Sequence, residues 1–128
     1  MKVLIVEDNK EIGKMLERVF RISGFETSLA EDGELALNYL RKSEKLPDAI
    51  ILDIIIPKIS GIDLLRIIKE ETNLKNIPVM VLTNSFLEEN AAQFLALGAD
   101  MYLIKMDHDP VDIVDKITKL IESKKNIK

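Results

Sequence analysis

The stretch that decides the fold is AIILDIIIPKISG, residues 49–61. Its first four residues are an apolar run of the length and composition typical of a buried strand, and Asp53 ends that run. Pro57 and Gly61 then mark a loop. A carboxylate at the end of a buried strand is costly unless it is paired or hydrogen-bonded. Asp53 is therefore a candidate functional residue.

Three other apolar runs end in polar side chains in the same way. They are residues 3–6, followed by Glu7 and Asp8; residues 79–82, followed by Thr83; and residues 101–104, followed by Lys105. In an open α/β sheet, ligands bind at the carboxyl ends of the strands. The pattern therefore predicts that these side chains meet at one edge of a sheet and form a site.

Five strand-like runs alternate with five helix-like runs, which predicts an α/β fold. The strand-like runs are 2–7, 25–30, 49–53, 79–82 and 100–104; the helix-like runs are 10–23, one from Gly33, 61–71, one near 86–97, and one from Pro110 to about 122. This (βα)5 pattern predicts one doubly wound domain with a five-stranded parallel sheet and helices on both faces. Strand 2 alternates apolar and polar residues, as an edge strand does. The order 2-1-3-4-5 follows by analogy with known doubly wound folds.

The residues between these runs have structural interpretations. Asn9 is predicted as the N-cap of the first helix, and Ser60 with Asp63 as a capping-box-like start of the third. Pro110 suits the first position of the last helix. We expect His108 to be an exposed turn residue. Packing roles are assigned to Phe86, Phe94 and Met101.

Composition excludes several classes of function. The chain has 128 residues, 47% of them hydrophobic and 31% charged, which predicts a single globular domain. It has no cysteine, which excludes disulfide scaffolds and thiolate sites and is compatible with the cytoplasm. A net charge of −4 argues against direct nucleic-acid binding. No apolar run approaches the ~18 residues of a membrane span, and we expect neither membrane association nor a signal peptide.

The acidic residues indicate a metal site. Three carboxylates at one sheet edge would repel each other, and a divalent cation relieves that repulsion. Oxygen ligands without histidine or cysteine favour a hard ion such as Mg²⁺. A carboxylate can also attack phosphorus and form an aspartyl-phosphate. A cation such as Lys105 and a hydroxyl such as that of Thr83 would then stabilise the transferred group.

Five motifs, in order, cover residues 2 to about 122. They are Val6-Glu7-Asp8-Asn9, Leu52-Asp53-x-x-x-Pro57-x-x-x-Gly61, Val81-Leu82-Thr83, Gly98-Ala99-Asp100 and Tyr102-Leu103-Ile104-Lys105. Each is weak alone, but all five at these spacings form a specific signal. In them the chain resembles the response-regulator receiver domains of two-component signalling. The resemblance implies the flavodoxin-like receiver fold over residues 1–122, followed by a short basic tail, residues 123–128.

The resemblance also implies the chemistry of the site. Asp53 would accept a phosphoryl group from a phosphohistidine. Asp8, Asp53 and the backbone carbonyl of Ile55 would bind Mg²⁺ directly, and Glu7 would bind it through water. The domain would be a signalling switch that catalyses its own phosphoryl transfer and slow dephosphorylation, and would not be a conventional turnover enzyme.

The resemblance also implies a conformational response to phosphorylation and a set of interaction partners. Lys105 would contact the phosphoryl group, while Thr83 and Tyr102 would be the switch pair that alters the surface of helix 4, strand 5 and helix 5. The donor would be a sensor histidine kinase or a phosphotransfer protein. The target would be a downstream protein or an output domain outside residues 1–128, so a stand-alone and an excised receiver both stay open. The chain would be a monomer or a phosphorylation-dependent dimer.

Two residues, Met106 and Asn84, depart from the family pattern, and Ile55 bears on the stability of the phosphorylated state. Met106 follows Lys105 where the family usually has a cis-proline, so we expect a trans Lys105–Met106 bond. Asn84 stands where a smaller residue is usual and could narrow access. Ile55 places an apolar side chain beside Asp53, which predicts slow autodephosphorylation because it hinders an attacking water.

Two alternative functions use the same fold or chemistry. A haloacid-dehalogenase-type hydrolase also forms an aspartyl-phosphate, but it needs a second carboxylate two residues after the nucleophile, where this chain has Ile55. A receiver-like interaction module independent of phosphorylation stays open because of Met106 and Asn84. Taken singly, Tyr102 could also be simple edge packing.

Overall fold

The computed structural model describes residues 1–84 and 88–126. The strands are β1 (Lys2–Val6), β2 (Glu26–Ala30), β3 (Ala49–Leu52), β4 (Val79–Thr83) and β5 (Met101–Ile104). The helices are α1 (Lys10–Ile22), α2 (Gly33–Lys42), α3 (Gly61–Glu70), α4 (Glu88–Ala96) and α5 (Pro110–Asn126), with a 3₁₀ turn over Lys105–Asp107. The predicted packing residue Phe86 and the predicted tail residues 127–128 lie outside the described residues.

The five strands form one parallel sheet in the order β2-β1-β3-β4-β5, which confirms the predicted order. β2 is at an edge, as predicted. Register aligns the strand ends: Val6 is opposite Leu52, and Thr83 is opposite Ile104. The residues that follow β1, β3 and β5 therefore emerge at the same edge as Thr83.

Apolar side chains form one core cluster on each face of the sheet. β1 shows the alternation, because Leu4 and Val6 belong to one cluster and Val3 and Ile5 to the other. Helices α2, α3 and α4 cover the first cluster, and α1 and α5 cover the second. The predicted packing residues Phe94 and Met101 lie in or against these clusters.

Side-chain caps start three helices, and two of the caps are the predicted residues Asn9 and Ser60. Asn9 Oδ1 accepts a hydrogen bond from Ile12 N at 3.0 Å, and Asp32 Oδ1 accepts one from Leu35 N at 2.7 Å. Ser60 Oγ accepts one from Asp63 N at 3.3 Å. These bonds satisfy amide groups that have no partner within the helix. They also fix where the chain leaves the acidic edge of the sheet.

Two local features differ from the sequence expectations. α5 continues to Asn126 instead of ending near residue 122, because Lys124 pairs with Asp100 at 2.8 Å and Lys125 lies 3.9 Å from Asp48. Residues 123–126 of the predicted basic tail are therefore helical, and the domain boundary itself stays a prediction. His108 is half-buried and contacts Asp112, so the expectation of an exposed turn residue was wrong.

The loop after β5 has the predicted trans geometry. No peptide bond among the described residues is cis, which confirms the expectation for Lys105–Met106. The loop begins with a 3₁₀ turn that leads to α5. Among the same described residues, no helix is both long and apolar enough to cross a membrane.

Candidate functional site

Three carboxylates meet where β1 and β3 end. Each of Glu7, Asp8 and Asp53 offers one oxygen within 4.8 Å of the others. Glu7 is 3% exposed and Asp53 is 9% exposed, while Asp8 is exposed. The strand register produces this cluster, and Asp53 N donates to Val6 O at 3.1 Å to extend the pairing by one residue. The predicted convergence of these three residues is confirmed.

Lys105 reaches the cluster from the end of β5, the edge strand on the far side of β4. Its Nζ donates to Asp53 Oδ2 at 3.0 Å and also to Glu7 Oε1. β5 is separated from β3 by β4, and neighbouring strands lie about 4.8 Å apart, so only a long side chain can span this distance. One ammonium therefore bridges two buried carboxylates.

Burial and charge shift the ionisation of this group of side chains. Burial raises the pKa of Glu7, and the negative charge of Asp53 adds to the rise, against the opposing bonds from Lys105 and Asn9. Burial alone would lower the pKa of the Lys105 ammonium, but its pairs with Glu7 and Asp53 outweigh that effect and raise it. Lys105 is thus held in its charged form beside Asp53.

Close packing of the loop after β3 fixes the backbone of Asp53. A methyl group on Gly61 would lie 2.6 Å from Asp53 O and 2.7 Å from Ile54 Cα, so only glycine fits. Gly61 N donates to Ile54 O at 3.0 Å, and Asp53 Oδ1 accepts from Ile54 N at 2.7 Å. The start of α3 therefore sets the direction of the Asp53 carboxylate.

An open cleft of about 510 Å³ lies above these carboxylates. It is lined by Glu7, Asp8, Asn9, Ile12, Asp53, Ile55, Thr83, Asn84 and Lys105. Thr83 is buried at its wall, whereas Ile55 is 77% exposed at its mouth. Sequence reasoning did not assign Asn9 or Ile12 to the site. Asn9 also holds Glu7, since Asn9 N donates to Glu7 Oε2 at 3.2 Å.

Tyr102 does not line the cleft. It lies on β5, where it pairs in register with Val81 of β4, and its ring packs against Phe94 of α4 with centroids 6.1 Å apart. Its hydroxyl oxygen is buried. Of the predicted site residues, Tyr102 alone lies apart from the cleft, on the side of the sheet where α4 packs.

Comparison with known proteins identifies the fold family. A family model of the response regulator receiver domain matches residues 3–118. The chain belongs to this family. This receiver domain is 37% identical over 116 residues to the phosphate regulon transcriptional regulatory protein PhoB of Escherichia coli K12, covering 91% of the chain and 49% of PhoB. It thus spans about half the length of that relative.

Solved structures agree with the assignment to the receiver family. The receiver domain of the Francisella response regulator 1452 is 30% identical, with a TM-score of 0.86 over 95% of this chain and 97% of that one. The phosphorylated cyanobacterial phytochrome response regulator RcpA is also 30% identical, with a TM-score of 0.78 over 98% and 89%. Receiver domains are phospho-accepting signalling modules of two-component systems, and they interact with histidine kinases and output domains.

The acidic residues of this receiver domain fit the Mg²⁺ that such domains bind. The three carboxylates each offer an oxygen close enough to the others to bind one ion. Carboxylate oxygens are the ligands that a hard cation prefers. The Lys105 ammonium bridging Glu7 and Asp53 also shows that this pocket attracts positive charge. The described part of the chain holds no second such group of acidic, histidine or cysteine side chains.

Proposed function

We propose that Asp53 is the residue that accepts the phosphoryl group in this receiver domain. The observation that carries the proposal is the position of its carboxylate. It lies at an open cleft, 3.0 Å from a lysine ammonium and within 4.8 Å of two further carboxylates.

The transfer forms one bond and breaks one. An oxygen of Asp53 attacks the phosphorus of a phosphohistidine, and a new O–P bond forms as the P–N bond breaks. The electron pair of the broken bond stays on the imidazole nitrogen, which is then free to take a proton from water. The product is an acyl phosphate on Asp53.

Asp8, Asp53 and the backbone carbonyl of Ile55 would hold Mg²⁺ directly, and Glu7 would hold it through water. When bound, the ion neutralises negative charge on the carboxylates and on the transferring group. Asp8 is exposed at the cleft, which supports a role in binding an ion that enters from solvent. Glu7 is buried, which supports a role behind the direct ligands.

Lys105 and Thr83 supply the remaining contacts. The Lys105 ammonium already lies beside Asp53, so it would pair with a phosphoryl oxygen formed there. The Thr83 hydroxyl lies at the wall of the same cleft and would donate to another oxygen. Tyr102 follows this change as the second member of the switch, because it lies on β5 with its ring against Phe94 of α4 and would alter the surface of α4, β5 and α5.

The donor in this proposal is a sensor histidine kinase or a phosphotransfer protein in the cytoplasm. The output is a downstream protein or an output domain, with the receiver acting as a monomer or as a phosphorylation-dependent dimer. The exposed Ile55 at the cleft mouth supports slow loss of the phosphoryl group, because it occupies the approach of water to Asp53.

Beryllofluoride, which mimics a phosphoryl group, tests the proposal. Amide NMR spectra would be recorded with Mg²⁺, with and without beryllofluoride, for the wild type, Asp53→Asn and the control Asp63→Asn on α3. We expect shifts at Thr83, Tyr102 and Lys105 in the wild type and the control, and none in Asp53→Asn. Equal spectra with and without beryllofluoride in the wild type would instead indicate an interaction module independent of phosphorylation.

A further inference from the structure

We propose that His108 is a positioning residue that holds Lys105 at the phosphorylation site through a contact with Asp112 of α5. The inference rests on the proposed function of Asp53. It concerns the loop between β5 and α5, which carries Lys105 at its start and His108 at its end.

Lys105 needs such support because its side chain is long and flexible. Holding its ammonium beside both Glu7 and Asp53 costs side-chain entropy. β5 fixes its backbone on one side only, since the strand ends at Ile104. The other side must be fixed by the 3₁₀ turn and by what that turn contacts.

Two common means of fixing a loop are absent from this one. The turn has no cis peptide bond, since the described residues contain none. Met106 is 74% exposed and so provides little packing. The polar contacts at the end of the turn offer such support.

His108 provides those contacts. Its backbone N donates to Lys105 O at 3.4 Å, which closes the turn. Its ring Nδ1 lies 2.5 Å from Asp112 Oδ2, and because a carboxylate only accepts, Nδ1 carries the proton. Asp112 is itself fixed in the first turn of α5, since Asp112 N donates to Asp109 Oδ1 at 2.9 Å. His108 therefore connects the Lys105 backbone to a capped helix.

The His108 ring also packs beside the site. With Pro110 and Ile113 of α5 and Ile12 of α1, it lines a groove of about 180 Å³ that shares Ile12, Asn84 and Lys105 with the acidic cleft. Its side chain is 22% exposed, unlike the 75% of Lys119 in the Lys119–Asp115 pair of the same helix. A shift of the His108 ring would therefore change the groove that Lys105 also lines.

The test measures how fast acetyl phosphate with saturating Mg²⁺ phosphorylates Asp53. We expect His108→Ala and Asp112→Ala each to slow the maximal rate about three- to tenfold, because misplacing a catalytic group costs at least this much. Asp112→Asn keeps an acceptor oxygen and should stay within about twofold of the wild type. Asp115→Ala, which removes an exposed pair on the same helix, is the matched control and should match the wild type.

A double-mutant cycle with Lys105 separates positioning from general loosening. In a Lys105→Ala background, we expect His108→Ala to change the rate by less than about twofold, because the residue it positions is gone. If Lys105→Ala is phosphorylated too slowly for its rate to be measured, NMR of the Lys105 ε-methylene protons replaces the cycle and reports how well the side chain is held. The two proton shifts should differ in the wild type and merge in His108→Ala, while circular dichroism shows the fold intact.

Wild-type phosphorylation that is absent or does not require Asp53 would overturn the proposed function and, with it, this inference. If His108→Ala is phosphorylated on Asp53 at the wild-type rate, the inference about His108 is overturned while the proposed function stands. An equal slowing by His108→Ala with and without Lys105 would also overturn the inference.

Discussion

At the scale of single residues, the site is a balance between two buried carboxylates and one ammonium. Lys105 neutralises part of the charge of Glu7 and Asp53, and the proposed Mg²⁺ would bind the same acidic group. Lysine and metal therefore compete for negative charge in the same pocket. The raised pKa of Glu7, caused first by burial, reflects how poorly this pocket tolerates a full set of unpaired carboxylates.

Lys105→Met tests this balance. Without Mg²⁺, we expect the free energy of unfolding to fall by roughly 2–4 kcal/mol, because two buried carboxylates lose their partner. The dissociation constant of Mg²⁺ should fall by roughly three- to tenfold, which corresponds to about 0.7–1.4 kcal/mol. Urea unfolding and calorimetric titration measure the two quantities. Weaker Mg²⁺ binding in the variant would show that lysine and metal do not compete.

Ile55→Asn tests the shielding of the phosphorylated site. A polar amide at the cleft mouth would admit and orient water, so we expect the half-life of phospho-Asp53 to shorten by roughly two- to tenfold. Ile22→Asn is the control, since Ile22 is 80% exposed on α1 away from the cleft. An unchanged half-life, or one of only seconds in the wild type, would remove Ile55 as the cause of slow dephosphorylation.

At the scale of elements, the loop from β3 to α3 carries the most constrained backbone near the site. Gly61 packs against Asp53 O, Gly33 N of α2 donates to Pro57 O at 3.2 Å, and Lys58 has a positive φ of 71°. The loop is thus held at both ends and strained in its middle. Its shape determines where Asp53 points.

Gly61→Ala would force this loop away from Asp53. We expect a loss of about 1–3 kcal/mol in the free energy of unfolding, because the new methyl group meets backbone that cannot move aside. Gly13→Ala is the control: its methyl group would meet only the movable side chain of Leu29, and alanine favours the helix by about 0.5–1 kcal/mol. Chemical denaturation compares the two, and similar stabilities would contradict the close-packing argument.

Lys58→Gly should have the opposite effect. Glycine adopts a positive φ without strain, so we expect the free energy of unfolding to rise by about 0.5–1 kcal/mol. The 4.0 Å contact of Lys58 with Asp32 is too exposed to offset this gain. Lys14→Gly, in the middle of α1, should instead lose about 1 kcal/mol. A destabilised Lys58→Gly would show that its backbone is not strained.

At the scale of the whole molecule, the sequence predicted what depends on local patterns. Apolar runs and their polar ends predicted the parallel sheet and placed Glu7, Asp8, Asp53, Thr83 and Lys105 at one edge, because strand ends align in register. Asn9 and Ser60 predicted helix starts, since capping is a local interaction.

The features that the sequence did not predict depend on contacts between distant residues, or on how loops and helices pack. Lys105 pairs with Glu7 across 98 positions, and α5 is extended by the pairs of Lys124 and Lys125 with residues near strand starts. The contact of His108 with Asp112, four residues later, depends on the conformation of the loop before α5, because His108 lies outside the helix. The position of Tyr102 beside Phe94 likewise depends on how α4 packs on the sheet.

The most direct measurement is the intact mass of the protein after incubation with acetyl phosphate and Mg²⁺. Wild type and the surface control Asp63→Asn should each gain the mass of a single phosphoryl group, and chelation of Mg²⁺ should abolish that gain. Asp53→Asn should gain none, since it lacks the carboxylate that attacks phosphorus. A phosphoryl group on Asp53→Asn, or none on the wild type, would contradict the account of Asp53 as the phospho-acceptor.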